Sequence, residues 1–227
     1  MTELTASLVF PTPSPPTLAI AGSDHRFPVG AIYAFTGTYG ANRAEPAVFT
    51  KGSRTVIDSG ATLRYPTMTA MLEPEIELVV AIGQDGRDLA DEAAAKPVVF
   101  GYAVGLDMTR RDLQTQAKNM GRPWEPGKGF DQSAPVSAVV PAAKCGHPTK
   151  GAIWVKVNGV VKQKGDLNQH IWQIDETISF LSQYVSIEPG DIIMMGTPAG
   201  VGPVAAGEKV EGHIDGVGDL TVTYVAA

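Results

Sequence analysis

Three carboxylates stand where an apolar core is expected. Glu75 and Glu77 lead into the unbroken apolar run Leu78-Val79-Val80-Ala81-Ile82, and Asp107 closes the run "VVFGYAVGLD". Residues two apart in a strand point to one face, so Glu75 and Glu77 would carry like charges side by side. Burying them unpaired would cost several kcal/mol each. Oxygen-only donors on rigid strand ends suit Mg2+, Mn2+ or Ca2+ and not a thiolate-seeking metal. Spacing alone is equally compatible with solvated strand ends or with partners of Arg110 and Arg111. Glu73, one step further out, reads as surface.

Other segments offer weaker chemistry. "GTPAGVGP" brings Gly196, Gly200 and Gly202 beside the Thr197 hydroxyl, but it lacks the Lys-Ser/Thr ending of a phosphate loop and by itself reads as a tight turn. "GRPWEPGKGFDQSAP" sets Lys128 and Asp131 in a Gly/Pro-rich loop of the kind that carries function. His25, His147, His170 and His213 lack metal-ligand spacing, so each reads as surface or core. There is no G-x-S-x-G elbow. Cys145 is the only cysteine, which excludes an internal disulfide and a multi-thiolate metal site and favours an intracellular, cytoplasmic protein. A net charge of −6 without a basic block argues against nucleic acid. No apolar run approaches the roughly 20 residues of a membrane span, and the start, Met-Thr-Glu followed by a Pro-rich stretch, is unlike a signal peptide.

The elements that must position these groups are mostly strands. Residues 1–26 form a Pro-rich, extended arm; residues 27–227 read as one domain. "VGAIYAF" and "AVFTKG" are strands about a Gly-rich turn, and "TVIDSGATLRYP" is a further pair. "AIWVKVNGVVKQKG" is a hairpin about Asn158-Gly159. "DIIMMG" is a buried strand and "KVEGHIDGVGDLTVTYV" a closing hairpin. Helices are few and short: "LADEAAAK", "RRDLQTQAKNM" with Thr109 as its cap, and an amphipathic one over 173–184. Without regular βα alternation or an internal repeat, the fold class is β-rich α+β, a mixed β-roll or sandwich, and not a Rossmann or TIM architecture.

Four segments in this order, "EIELVVAIG", "GYAVGLDMTRRDLQ", "GRPWEPGKGFD" and "PGDIIMMGTPAGVGPV", resemble the fumarylacetoacetate hydrolase superfamily. "GLDMTRRDLQ", "GRPW" and "GAIWVKVNG" are similar to its bacterial fumarylpyruvate hydrolases of gentisate breakdown. The resemblance spans residues 27–225. It implies a homodimer with one Mg2+ (or Mn2+) per subunit, held by Glu75, Glu77 and Asp107, and Lys128 as the active-site lysine. It implies Arg111, Gln114 and Thr197 near the substrate's carboxylate and carbonyl oxygens. The implied substrate is an acylpyruvate, a small β-diketo acid cleaved through a stabilised enolate.

The resemblance fails at the water-activating end. The family stretch G-R-N-Y-x-x-H-x-x-E, whose His–Glu pair is the base, is here Thr36-Gly37-Thr38-Tyr39-Gly40-Ala41-Asn42-Arg43-Ala44-Glu45. Tyr39 and Glu45 fit, but Asn42 replaces the histidine and Gly37 the arginine. The usual Lys-Pro is Lys51-Gly52, and Pro74 stands where His is common. A neutral amide can orient a water but cannot take its proton near pH 7. Three readings follow: a hydrolase using Glu45 or a histidine from another segment; a metal-dependent tautomerase, isomerase or decarboxylase that needs no activated water; or a binding protein.

Overall fold

The computed structural model of the chain describes residues 14–40 and 43–226. An eight-stranded mixed sheet runs Ala47–Lys51, Ile32–Thr36, Ile192–Met194, Ile76–Ile82, Val99–Leu106, Ala134–Val136, Val56–Asp58, with Val140–Pro141 also paired to Val99–Leu106. A five-stranded sheet runs Val160–Asp166, Ala152–Val157, Lys209–Ile214, Gly218–Val225, Thr62–Arg64. The expected β-rich α+β class is what the chain adopts. Its helices among the described residues are short, the longest being Arg111–Asn119 and Ile174–Ser182.

The central strand Ile76–Ile82 is apolar throughout its second half because both of its faces are covered. Leu78, Val80 and Ile82 pack with Val104 and Leu106 against Val155, Val210 and Val222 of the second sheet. Val79 and Ala81 face the other way, into a cluster with Ile32, Ala103, Ile192, Leu18 and Phe27. Leu18 comes from the Pro-rich arm, and Phe27 is the first residue after it. From residue 14 on, the arm is less extended than its composition suggests: Thr17–Ala19 pairs with Arg26–Pro28, and the hairpin buries Leu18 completely. Residues 1–13 lie outside the described residues.

Local signals act as expected elsewhere. Asn158 and Gly159 both take positive φ, 48° and 78°, the pair of angles a two-residue hairpin turn demands. Gln173 and Glu176 form a capping box at the start of Ile174–Ser182. Thr109 departs from expectation. Arg110 occupies the N-cap position of Arg111–Asn119, and the Thr109 hydroxyl instead donates to Asp107 O at 3.1 Å and accepts from Lys128.

Candidate active site

Strand register brings the acidic groups together. Ile76 pairs with Leu106 and Glu77 with Gly105. The same antiparallel count sets Glu75 opposite Asp107, whose N–H donates to Glu75 O at 2.9 Å, and Glu73 opposite Thr109. Gly105 presents no side chain across from Glu77; a Cβ there would stand 2.5 Å from Val79 Cγ2. Glu75, Glu77 and Asp107 are all buried, and each offers one oxygen to a set lying within 4.8 Å of one another.

Two buried lysines meet this cluster. Lys128 ends the short helix Glu125–Lys128, which sits close to Arg111–Asn119 because Gly127 is a glycine: a Cβ there would be 2.9 Å from Gln114 N. Its ammonium donates to Glu75 Oε2 at 2.8 Å, to Thr109 Oγ1 at 2.7 Å and to Asp107 Oδ2. Burial opposes that charge, but Asp107 and Glu75 outweigh it and hold the Lys128 pKa above its ordinary value. Lys51, at the inner end of the edge strand, donates to Asp107 Oδ1 at 2.7 Å and to Lys128 O at 2.5 Å. Burial pulls Lys51 below its ordinary value while Asp107 pulls it back. With Met108 O a third acceptor at 3.5 Å, the geometry fits an ammonium, which has three N–H groups where a neutral amine has two. Burial also raises Asp107, yet Lys128 and Lys51 override it and keep its pKa low.

Glu77 differs from its neighbours. Its pKa lies well above the carboxylate range because it is buried, and because Asp107 and Glu75 add like charge. The described hydrogen bond to its side chain comes from Gly196 N–H, at 2.7 Å. Gly196 has φ 88°, and a Cβ on it would stand 2.0 Å from Thr38 Oγ1, so this turn requires glycine. Next to it, Thr197 donates to Ile76 O and accepts from Gln163 Nε2.

The outer rim is built on Arg111, which bonds Glu73 Oε2 at 2.5 Å, Gln114 Oε1 at 2.5 Å and Glu75 Oε1. Glu73 is therefore buried and ion-paired, and not the surface residue its position suggested; the bond from Arg111 is the reason. Tyr39 is packed against His170, with ring centroids 4.1 Å apart, and both line a cleft of about 760 Å³ shared with Thr197 and Lys164. Glu45 is exposed, and Asn42 lies outside the described residues.

Lys51, Thr109, Gly196 and His170 were not singled out by sequence as parts of one site. Two of them carried a signal: Gly196 stands in the glycine loop beside Thr197, and Lys51 closes a strand whose other residues are mostly exposed. The rest depend on which segments meet.

Residues 35–225 match the model of the fumarylacetoacetate hydrolase C-terminal domain. The chain belongs to the fumarylacetoacetate hydrolase family. Within that family it is 43% identical, over 175 residues, to a fumarylpyruvate hydrolase from Ralstonia sp., covering 77% of this chain and 90% of that protein. It is 42% identical over 178 residues to a human mitochondrial oxaloacetate tautomerase, covering 78% and 80%. The crystal structure of fumarylpyruvate hydrolase from Pseudomonas aeruginosa in complex with Mn2+ and pyruvate superimposes with a TM-score of 0.93 at 44% identity, over 97% of this chain and 100% of that one. The family's members named here are enzymes, and this chain is a family enzyme.

Proposed function

We propose that the protein is a divalent-metal-dependent hydrolase that cleaves the C–C bond of an acylpyruvate of the fumarylpyruvate kind, with Glu75, Glu77 and Asp107 holding Mg2+ or Mn2+. The observation that carries this reading is the buried trio of carboxylates whose oxygens lie within 4.8 Å. The donor set fits the cation: all oxygen, on rigid backbone, three formal negative charges. Glu77 supplies the test of fit: burial and its acidic neighbours push this carboxylate up, no cationic side chain bonds it among the described residues, and a dication would provide that counter-charge. Such a cation supplies Lewis acidity toward the oxygens of a 2-oxo acid.

The chain's own groups do the rest. Arg111 and Gln114 bind the substrate carboxylate at the rim, while Thr197 and Tyr39 bound the side of the cleft that takes the acyl tail. Water oxygen bonds to the acyl carbonyl carbon, and the bond from that carbon to the pyruvyl methylene breaks. Its electron pair passes to the pyruvyl enolate, whose carbon then takes a proton to become the methyl group of pyruvate. The acyl fragment leaves as a carboxylate. Lys128 supplies positive charge and a proton to the enolate side. A cytoplasmic homodimer belongs to the same reading.

A second reading, a tautomerase of a 2-oxo acid, is favoured by the identity to the human oxaloacetate tautomerase. It uses the same carboxylates and Lys128 but no activated water. Incubation with Mn2+ and fumarylpyruvate separates the two. Release of pyruvate and fumarate supports hydrolysis. Faster decay of the enol absorbance than with Mn2+ alone, without pyruvate, supports the tautomerase and refutes the hydrolase.

A further inference from the structure

His170 and Tyr39 present a pair of buried polar atoms that the mechanism above does not use. His170 follows the short 3-10 turn Leu167–Gln169, which is closed by a capping box between Asp166 and Gln169. The Ile171 N–H donates to Thr38 O at 2.8 Å and ties this turn to the segment that carries Tyr39. The two rings lie 4.1 Å apart at 48°. His170 Nε2 and the Tyr39 hydroxyl are both buried, and neither has a hydrogen-bond partner among the described residues. An unsatisfied buried polar atom costs on the order of 1–3 kcal/mol, so two on adjacent side chains call for a guest that satisfies them.

The chemistry of the pair is defined by its surroundings. His170 Nδ1 lies 3.2 Å from Leu167 O, and because a carbonyl only accepts, we assign the proton to Nδ1 and the lone pair to Nε2. Burial pushes the imidazole pKa down to about 4, and the free ring is neutral at pH 7. Burial, then the charges of Glu77 and Asp166, drive the Tyr39 phenol up, so its hydroxyl stays a donor. The same two side chains line the cleft with Thr197, the residue after Gly196, whose N–H holds Glu77. An acceptor and a donor therefore lie buried in the wall of a cleft that adjoins the carboxylate cluster.

We propose that His170 Nε2 and the Tyr39 hydroxyl hold the attacking water, with His170 as the general base that takes its proton. The water donates one hydrogen to Nε2 and accepts from Tyr39. As its oxygen bonds to the acyl carbon, the proton passes to Nε2, and the imidazolium returns it to solvent or to the departing enolate carbon. Asp166, whose charge is felt at Tyr39, offsets the developing positive charge. Asn42 then needs only to orient, and the water-activating group comes from a segment more than a hundred residues further along the chain. This inference rests on the hydrolase reading.

The test uses the Mn2+-loaded protein and two reactions. Hydrolysis of fumarylpyruvate, followed by pyruvate release, requires the base. Exchange of pyruvate methyl hydrogens for deuterium in D2O, followed by proton NMR, requires enolate formation but no attacking water. His170→Gln should lower kcat for hydrolysis by about 100-fold or more while exchange and Mn2+ affinity stay within about threefold. Imidazole should restore part of the hydrolysis to His170→Ala, which a packing role would not allow. Tyr39→Phe should lower hydrolysis by about tenfold. Hydrolysis by His170→Gln within about threefold of wild type overturns the inference and leaves the hydrolase reading standing. Equal loss of hydrolysis and exchange also overturns it, since His170 would then serve the shared enolate half. Absence of hydrolysis in the wild type, with exchange intact, overturns the hydrolase reading and this inference with it. Should the variants not fold, a crystal structure of the Mn2+-loaded wild type decides: a water bonded to both Nε2 and the Tyr39 hydroxyl supports the assignment, and its absence overturns it.

Discussion

Acidification should unfold this protein partly through His170, by an amount the structure permits us to work out. The ring is buried and its pKa is pushed down to about 4, whereas in the unfolded chain it titrates near 6.5. Between those values the unfolded state binds more protons, so stability is fully present above about pH 6.5 and is lost as pH falls toward 4. At about 1.4 kcal/mol per pH unit the full loss is about 3 kcal/mol, of which about 2 kcal/mol falls between pH 7 and pH 4.5. The assay is urea unfolding at both pH values in the presence of EDTA, for wild type and His170→Gln. Buried carboxylates contribute to both proteins alike, and the difference isolates His170. Wild type should lose about 2 kcal/mol more than the variant, or roughly 4–8 °C in Tm for a chain of this size. Parallel loss in the two proteins would refute the reasoning, because it would mean that the folded protein protonates His170 as readily as the unfolded chain does.

Three further outcomes follow from the carboxylate cluster. Glu77→Gln removes one like charge from the buried trio, so calorimetric titration should find Mn2+ binding lost while the Tm of the EDTA-treated protein holds or rises. Lys51→Met leaves the buried Asp107 Oδ1 without its donor, while Lys128 O keeps the Ser133 hydroxyl, and should cost about 3 kcal/mol in urea unfolding. Gly196→Ala combines φ 88° with a 2.0 Å clash on Thr38 Oγ1; we expect a loss of more than about 2 kcal/mol and of the Glu77 contact, read out as weakened Mn2+ affinity.

The path from sequence to site was uneven, and the reason is physical. Local rules were legible: Asn158-Gly159 made its turn, Gln173 and Glu176 made their cap, and the apolar run 78–82 became a strand covered on both faces. Thr109 shows where a local rule gave way. Its hydroxyl could have capped Arg111–Asn119, but a buried ammonium 2.7 Å away is the stronger claimant. Glu73 was misplaced on the surface for a related reason, since its partner Arg111 lies on a helix 38 residues on. The resemblance to fumarylacetoacetate hydrolases concentrated attention on Glu75, Glu77, Asp107 and Lys128 because those residues stand inside specific motifs. His170 stands in none, and so the sequence offered no reason to prefer it over three other histidines.

By itself the sequence determined the β-rich class, the family, and the acidic residues that share one strand face, because period-2 alternation and motif order are properties of a linear chain. Tertiary structure alone decided the counter-charges and the neighbours. Only the pairing of Ile76–Ile82 with Val99–Leu106 sets Asp107 against Glu75, only the curl of the sheet carries Lys51 to Asp107, and only the bridge between Thr38 and Ile171 brings Tyr39 onto His170. Charges and lone pairs act over a few ångströms of space, and sequence separation does not measure that distance.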